Sequence, residues 1–306
     1  MTISRTLLLL GALLGAAAGA APASARAELR IFSCEPQWAA LAREIGGERV
    51  QVDSATTAHQ DVHYIQARPS LIAKARRADL LVFSGADLEI GWLPLLLRQA
   101  SNRKIQPGET GYLNVSQIVP MLEVPTRIDR AEGDIHPYGN PHTQTDPHNV
   151  ARVAAELAKR MARLDPDGKD DYRARYDRFA ARWTEAVAGW ERRAAPLRGA
   201  EIVTHHRAWV YMAHWLGLVV VEHLEPTPGI PPTVAHLAKI LDDLEQRPVR
   251  AIVRATYQPE RPSEWLSERS GIPAIVLPHC VGSTPGATDL FAMFDDMVNS
   301  LLETVQ

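Results

Sequence analysis

The sequence predicts an α/β protein: two α/β lobes with mainly parallel sheets, joined by a long helical connector, with a candidate metal site in the cleft between the lobes. Three observations predict it. Short, continuously apolar runs alternate with amphipathic stretches of helix length, the pattern of parallel strands covered on both faces. That alternation occurs twice, at the two ends of the chain. Between them lies a long helical stretch with no strand-like run. The expected layout is a leader over 1–27, an N-terminal lobe over 28–147, a connecting helix over 148–196 and a C-terminal lobe over 197–306.

Residues 29–33 (Leu-Arg-Ile-Phe-Ser) read as the first strand and 37–45 as a helix closed by Gly46-Gly47. A short strand at 49–52 leads into a polar loop at 53–63. A helix over 69–77 is opened by Pro69, since proline suits the first helical turn. Residues 79–84 (Asp-Leu-Leu-Val-Phe-Ser) form a buried strand running into Gly85, followed by a helix over 88–99. A loop-rich stretch then extends to about Pro147. Val153, Leu157 and Met161 mark a helix over 150–164, and Asp165-Pro-Asp-Gly168 is a turn. Tyr172, Tyr176, Phe179, Trp183, Val187 and Trp190 stripe one face of a helix over 171–195, a packing face rather than a ligand box. The second half predicts strands at 201–204, 218–222, 249–254 and 274–277. Helices are predicted over 208–216, 233–245, 262–270 and 287–303.

Composition narrows the functional classes. The 33 Lys+Arg against 36 Asp+Glu leave a net charge of −3, which provides no basic footprint for nucleic acid and no polybasic stripe for anionic lipid. The N-terminus carries Arg5, an apolar run from Leu7 to Leu14 and small-x-small sites at Ala23-Ser24-Ala25 and Ala25-Arg26-Ala27. This is the form of a cleaved export signal, too short to be a membrane span. No Cys follows the apolar run, which argues against a lipid anchor. The mature chain is therefore expected in an oxidising, exported compartment. There Cys34 and Cys280 could form a disulfide or remain two buried thiols.

The 11 histidines carry the functional argument. Ligands of open α/β sheets bind outside the carboxyl ends of the strands, and several His fall in such positions. His59 and His63 follow the second strand, His205 and His206 follow 201–204, and His279 follows 274–277. His136, His142 and His148 lie in the loop before the connector. A single histidine is usually an ordinary hydrogen-bonded residue, and His214, His223 and His236 are read that way. Repeated strand-end His in both lobes point instead to imidazole ligation of a transition metal such as Zn²⁺. His59-Gln60-Asp61-Val62-His63 has the spacing of the zinc-protease H-E-x-x-H helix. However, Gln60 replaces the general base and the segment is loop-like.

These residues resemble a known family, the TroA-like periplasmic receptors of bacterial ABC importers for zinc and manganese. The resemblance covers essentially the whole mature chain. Asp61-Val62-His63-Tyr64, Ala78-Asp79-Leu80-Leu81, Gly85-Ala86-Asp87-Leu88-Glu89 and Trp92-Leu93 look like its first histidine loop and the strand and helix that follow. Asn140-Pro141-His142 with Asp146-Pro147-His148-Asn149 is similar to its second histidine motif. Thr204-His205-His206 with Trp209-Val210-Tyr211 and Leu216-Gly217-Leu218 is similar to its third, and favours His206 over His205. The resemblance implies the metal ligands His63, His142, His206 and His279. His279 takes the family's carboxylate position by alignment on Gly282, with Asp289 and water as alternatives. Val62 stands where the family has Pro, and the long His-rich loop is absent, leaving His136 alone in 129–140.

The implied function is capture of a divalent ion, Zn²⁺ by its nitrogen-rich ligation with Mn²⁺ or iron as alternatives, and delivery to a separate ABC permease. A periplasmic metallochaperone is allowed as a further partner, and a monomer is expected. No catalysis is expected. The rival classes are a secreted zinc hydrolase, for which Asp61 and Glu225 are the nearest bases, and an adhesive protein with incidental His.

Overall fold

The computed structural model describes residues 28–127 and 136–305. The leader, residues 128–135 and Gln306 lie outside the described residues. Two four-stranded sheets form, all parallel. The first has the order β2-β1-β3-β4, from β1 (Leu29–Ser33), β2 (Val50–Ser54), β3 (Leu80–Phe83) and β4 (Tyr112–Asn114). The second repeats it as β6-β5-β7-β8, from β5 (Glu201–Thr204), β6 (Val219–His223), β7 (Val249–Arg254) and β8 (Ala274–Val276). The two central strands of each sheet are mostly buried, with Ile, Leu, Val and Phe at most buried positions, as strands covered on both faces require. In both sheets the order reverses at the first strand, so the crevice opens at the carboxyl ends of β1 and β3 and of β5 and β7.

The helices of the first half are α1 (Pro36–Gly46), α2 (Pro69–Arg77) and α3 (Leu93–Ala100). Then come α4 (Pro147–Leu164) and α5 (Lys169–Ala194), followed by α6 (Val210–Leu216), α7 (Val234–Leu244), α8 (Arg261–Ser270) and α9 (Leu290–Val305). α5, with 26 residues, is about 39 Å long at 1.5 Å per residue. It packs on α1 in the first half, on α4, and on α9 in the second half, so it links the lobes. Its aromatic stripe is core: Trp183 stacks on Phe179 and meets Trp190, Phe291 and Phe294 edge-on. One apolar cluster runs without a break from Ile31 and Val82 of the first sheet through Val153 and Trp183 to Ile202 and Val253 of the second. Smaller clusters cover the outer face of each sheet.

Two expectations change. The helix predicted over 88–99 begins only at Leu93, because Pro94 has no N–H to donate and must sit in the first turn. Residues 84–92 form a tight turn instead. In it Ala86 (φ 49°), Asp87 (φ 65°) and Gly85 (φ 78°) are left-handed, and a Cβ at Gly85 would strike the Asn114 amide. The buried Glu89 carboxylate closes this turn by accepting Ser84 N–H at 2.8 Å and Gly85 N–H at 3.1 Å. The loop-rich stretch after 99 also contains β4, whose three residues are too few to show a period. Cys34 and Cys280 are both free and buried. Among the described residues, no helix is long and apolar enough to cross a membrane.

Candidate metal centre

His63 lies on the 3-10 turn Val62–Tyr64 after β2. Asp61 caps that turn: one carboxylate oxygen accepts His63 N–H at 3.0 Å and His63 Nδ1–H at 2.7 Å. Trp92 Nε1–H donates to the Val62 carbonyl at 2.8 Å and pins the turn to the start of α3. A carboxylate only accepts, so Nδ1 carries the proton and the Nε2 lone pair faces outward. Burial pushes the Asp61 carboxyl up, but its hydrogen bonds from His63 outweigh this and hold it below the usual value.

His206 follows β5 and repeats the device. Its Nδ1–H donates to Glu225 at 2.7 Å, leaving Nε2 free to bind. The register explains the pairing. β6 runs beside β5 until Thr204 faces His223, and Glu225 N–H then donates to the His205 carbonyl at 3.0 Å. Glu225 is anchored further by Gly229 N–H at 3.1 Å.

His142 lies before α4 in a loop tied to the segment after β5. Its N–H donates to Asn140 Oδ1 at 3.0 Å, and the Asn140 amide donates to the Arg207 carbonyl at 2.8 Å. Tyr211 O–H donates to the Asn140 carbonyl at 2.8 Å. These bonds give physical roles to the Asn and Tyr of the second and third histidine motifs. Burial, followed by the neighbouring imidazoles, pushes His142 well below the ordinary histidine value, so it is held neutral.

One ring nitrogen from each of His63, His142 and His206 lies within 4.8 Å of the other two. His142 Nε2 and His206 Nε2 are 3.3 Å apart. Donors at 2.0–2.1 Å from a tetrahedral Zn²⁺ stand about 3.3–3.4 Å from one another, so this edge already has the required length.

His279 is not brought into that group. Its Nδ1 lies 3.5 Å from Thr256 Oγ1, its Nε2 lies 3.4 Å from Cys280 Sγ, and Tyr257 packs edge-on against the ring. Both nitrogens are engaged within the C-terminal lobe. Asp289 is exposed and accepts Ala292 N–H at the start of α9. His205 sits buried behind Glu225, and His148 pairs with Glu191 at 2.9 Å. His59 is exposed. The structure adds His136, whose Nε2 is 3.3 Å from His63 Nε2. It also moves Glu225 from a candidate base to the group that orients His206.

The buried imidazoles imply a pH dependence. His205, His223 and His279 are each pushed down to about 4, with burial as the largest cause. In the unfolded chain they take up protons near pH 6.5. Between that pH and about 4 the unfolded state binds more protons, so stability rises with pH and is lost as pH falls. Urea unfolding of the metal-free protein at about pH 7 and about pH 5 should show a lower midpoint at the acid value. Equal midpoints would contradict the burial of these rings.

Two parallel sheets whose facing loops bring three imidazoles to one point define a two-lobed metal-binding protein. Residues 31–304 match the family described as ZnuA, zinc-uptake complex component A, periplasmic. The chain belongs to that family, and with it to the metal-binding substrate-binding proteins of ABC transporters. It is similar to the manganese ABC transporter substrate-binding lipoprotein PsaA of Streptococcus pneumoniae, with 24% identity over 80% of this chain and 78% of that protein. The metal ABC transporter lipoprotein FimA of Streptococcus parasanguinis is 23% identical over the same shares. The fold matches a crystal structure of ZnuA with a TM-score of 0.77 at 22% identity, covering 91% of this chain and all of that one. A Cd-bound periplasmic metal-binding protein of Candidatus Liberibacter asiaticus matches with a TM-score of 0.75 at 16% identity, over 91% and 100% of the two chains.

Proposed function

We propose that this chain captures one Zn²⁺ in the interlobe cleft through His63, His142 and His206, and delivers it to an ABC permease. The observation that carries the reading is the three-imidazole cluster, in which two rings have Nδ1 bound to a carboxylate. Such carboxylate–histidine pairs fix the tautomer and raise ligand basicity. An all-nitrogen donor set suits zinc, whereas manganese favours oxygen. The protein acts without catalysis in this reading. Asp61 and Glu225, the nearest bases, are both engaged in holding ligand rings. The leader 1–27 directs export to the periplasm, where the chain works as a monomer. A manganese receptor is the second reading, favoured by the names of the streptococcal relatives.

Metal content and competition decide between them. The mature protein should hold about one Zn²⁺ per chain and keep it against a large excess of Mn²⁺. Displacement of Zn²⁺ by Mn²⁺ would reverse the assignment.

A further inference from the structure

We infer that His136 is the fourth imidazole ligand of the captured ion, swinging over it from the mouth of the cleft. The inference rests on the function proposed above. His136 Nε2 lies 3.3 Å from His63 Nε2, the separation already seen between His142 and His206. Its Nδ1 is 3.0 Å from the carbonyl oxygen of Ala86. A carbonyl can only accept, so Nδ1 carries the proton and the Nε2 lone pair points toward His63. This is the arrangement that Asp61 imposes on His63 and Glu225 on His206, here with a backbone acceptor.

The acceptor is built in. Ala86 and Asp87 hold left-handed conformations that cost of order 1 kcal/mol each, and such strain persists only where the surroundings enforce it. The enforcement comes from Glu89, which accepts Ser84 and Gly85 N–H, and from Ser116 Oγ, which accepts Ala86 N–H at 3.2 Å. The strained turn thereby presents its carbonyl to the His136 ring.

His136 also lies where a fourth ligand is needed. It lines a cavity of about 260 Å³ together with His142, His206 and Glu225. His279 lines the same cleft as His63 and His142, but both its ring nitrogens already have partners, Thr256 Oγ1 and Cys280 Sγ. His136 is not within 4.8 Å of all three clustered nitrogens, so a short swing of its ring completes the tetrahedron when the ion arrives. The ligand class is a divalent cation that accepts four nitrogen donors, and the closed site has no water on the metal.

Two probes of the mature protein test this. X-ray absorption of the Zn²⁺ form should count four imidazoles in the parent and three in His136→Ala. Visible spectra of the Co²⁺ form should shift in the same variant. Zn²⁺ affinity should fall by at least about 10-fold in His136→Ala, with stoichiometry still about one. An unchanged imidazole count and Co²⁺ spectrum in His136→Ala would overturn the inference. So would a loss confined to His279→Ala. A parent protein that binds neither ion would bring down the proposed function itself.

Discussion

His206→Ala should weaken binding of the ion at least ~100-fold while leaving the fold intact. Structural zinc sites bind with roughly 10–16 kcal/mol from four ligands, so one imidazole is worth about 3 kcal/mol or more, at least a ~100-fold loss of affinity. The real loss should be larger, because the substitution also leaves Glu225 with its His206 partner gone beside the buried His205. Glu225→Gln isolates that second effect. It keeps the ring but weakens its anchor, and should cost about 10–100-fold with stoichiometry retained. Competition against a chromogenic chelator measures both. Comparable affinities for His206→Ala and the parent would remove His206 from the site and with it the proposed mechanism.

Trp183→Ala should cause the largest loss of stability of any single change considered. The side chain is 1% exposed and touches aromatic groups from both α5 and α9. Its Nε1–H donates to the Pro147 carbonyl at 2.9 Å, tying α5 to the start of α4. Removing a buried Trp costs about 3–5 kcal/mol, a large part of the 5–15 kcal/mol that stabilises a typical domain. Thermal unfolding of the metal-free form should shift down by on the order of 10 °C. Adding Zn²⁺ should recover part of it, since binding the folded state at 100 times the dissociation constant adds about 2.7 kcal/mol. A shift of only a degree or two would mean that the aromatic seam is not the structural joint between the halves.

What was legible in the sequence follows from what is local. Strands 29–33, 201–204 and 249–254 and helix 69–77 have the bounds that their apolar runs and opening proline indicate, because each is delimited by neighbouring residues. The start of α3 was set by Pro94 together with the Glu89 turn, and the latter needs a carboxylate to meet two backbone amides that composition does not announce. Sheet order is a long-range property and left no local trace. At the candidate site, Asp61 was visible as a neighbour of His63. Glu225 lies 19 residues from His206, and the two meet only because β5 and β6 pair side by side. The paired-strand register was the signal that could have found it. His279, expected from alignment on Gly282, does line the cleft beside His63 and His142, but Thr256, Tyr257 and Cys280 hold its ring outside the three-nitrogen group, and the contacts with Thr256 and Tyr257 are not local in the chain.

The unbroken apolar seam from the first sheet to the second has a consequence for unloading. A receptor whose halves share one interior cannot free its cargo by spreading apart without exposing that interior to water. In the proposed role, that shared interior favours release by displacement of individual rings at the rim of the cleft over wide separation of the lobes.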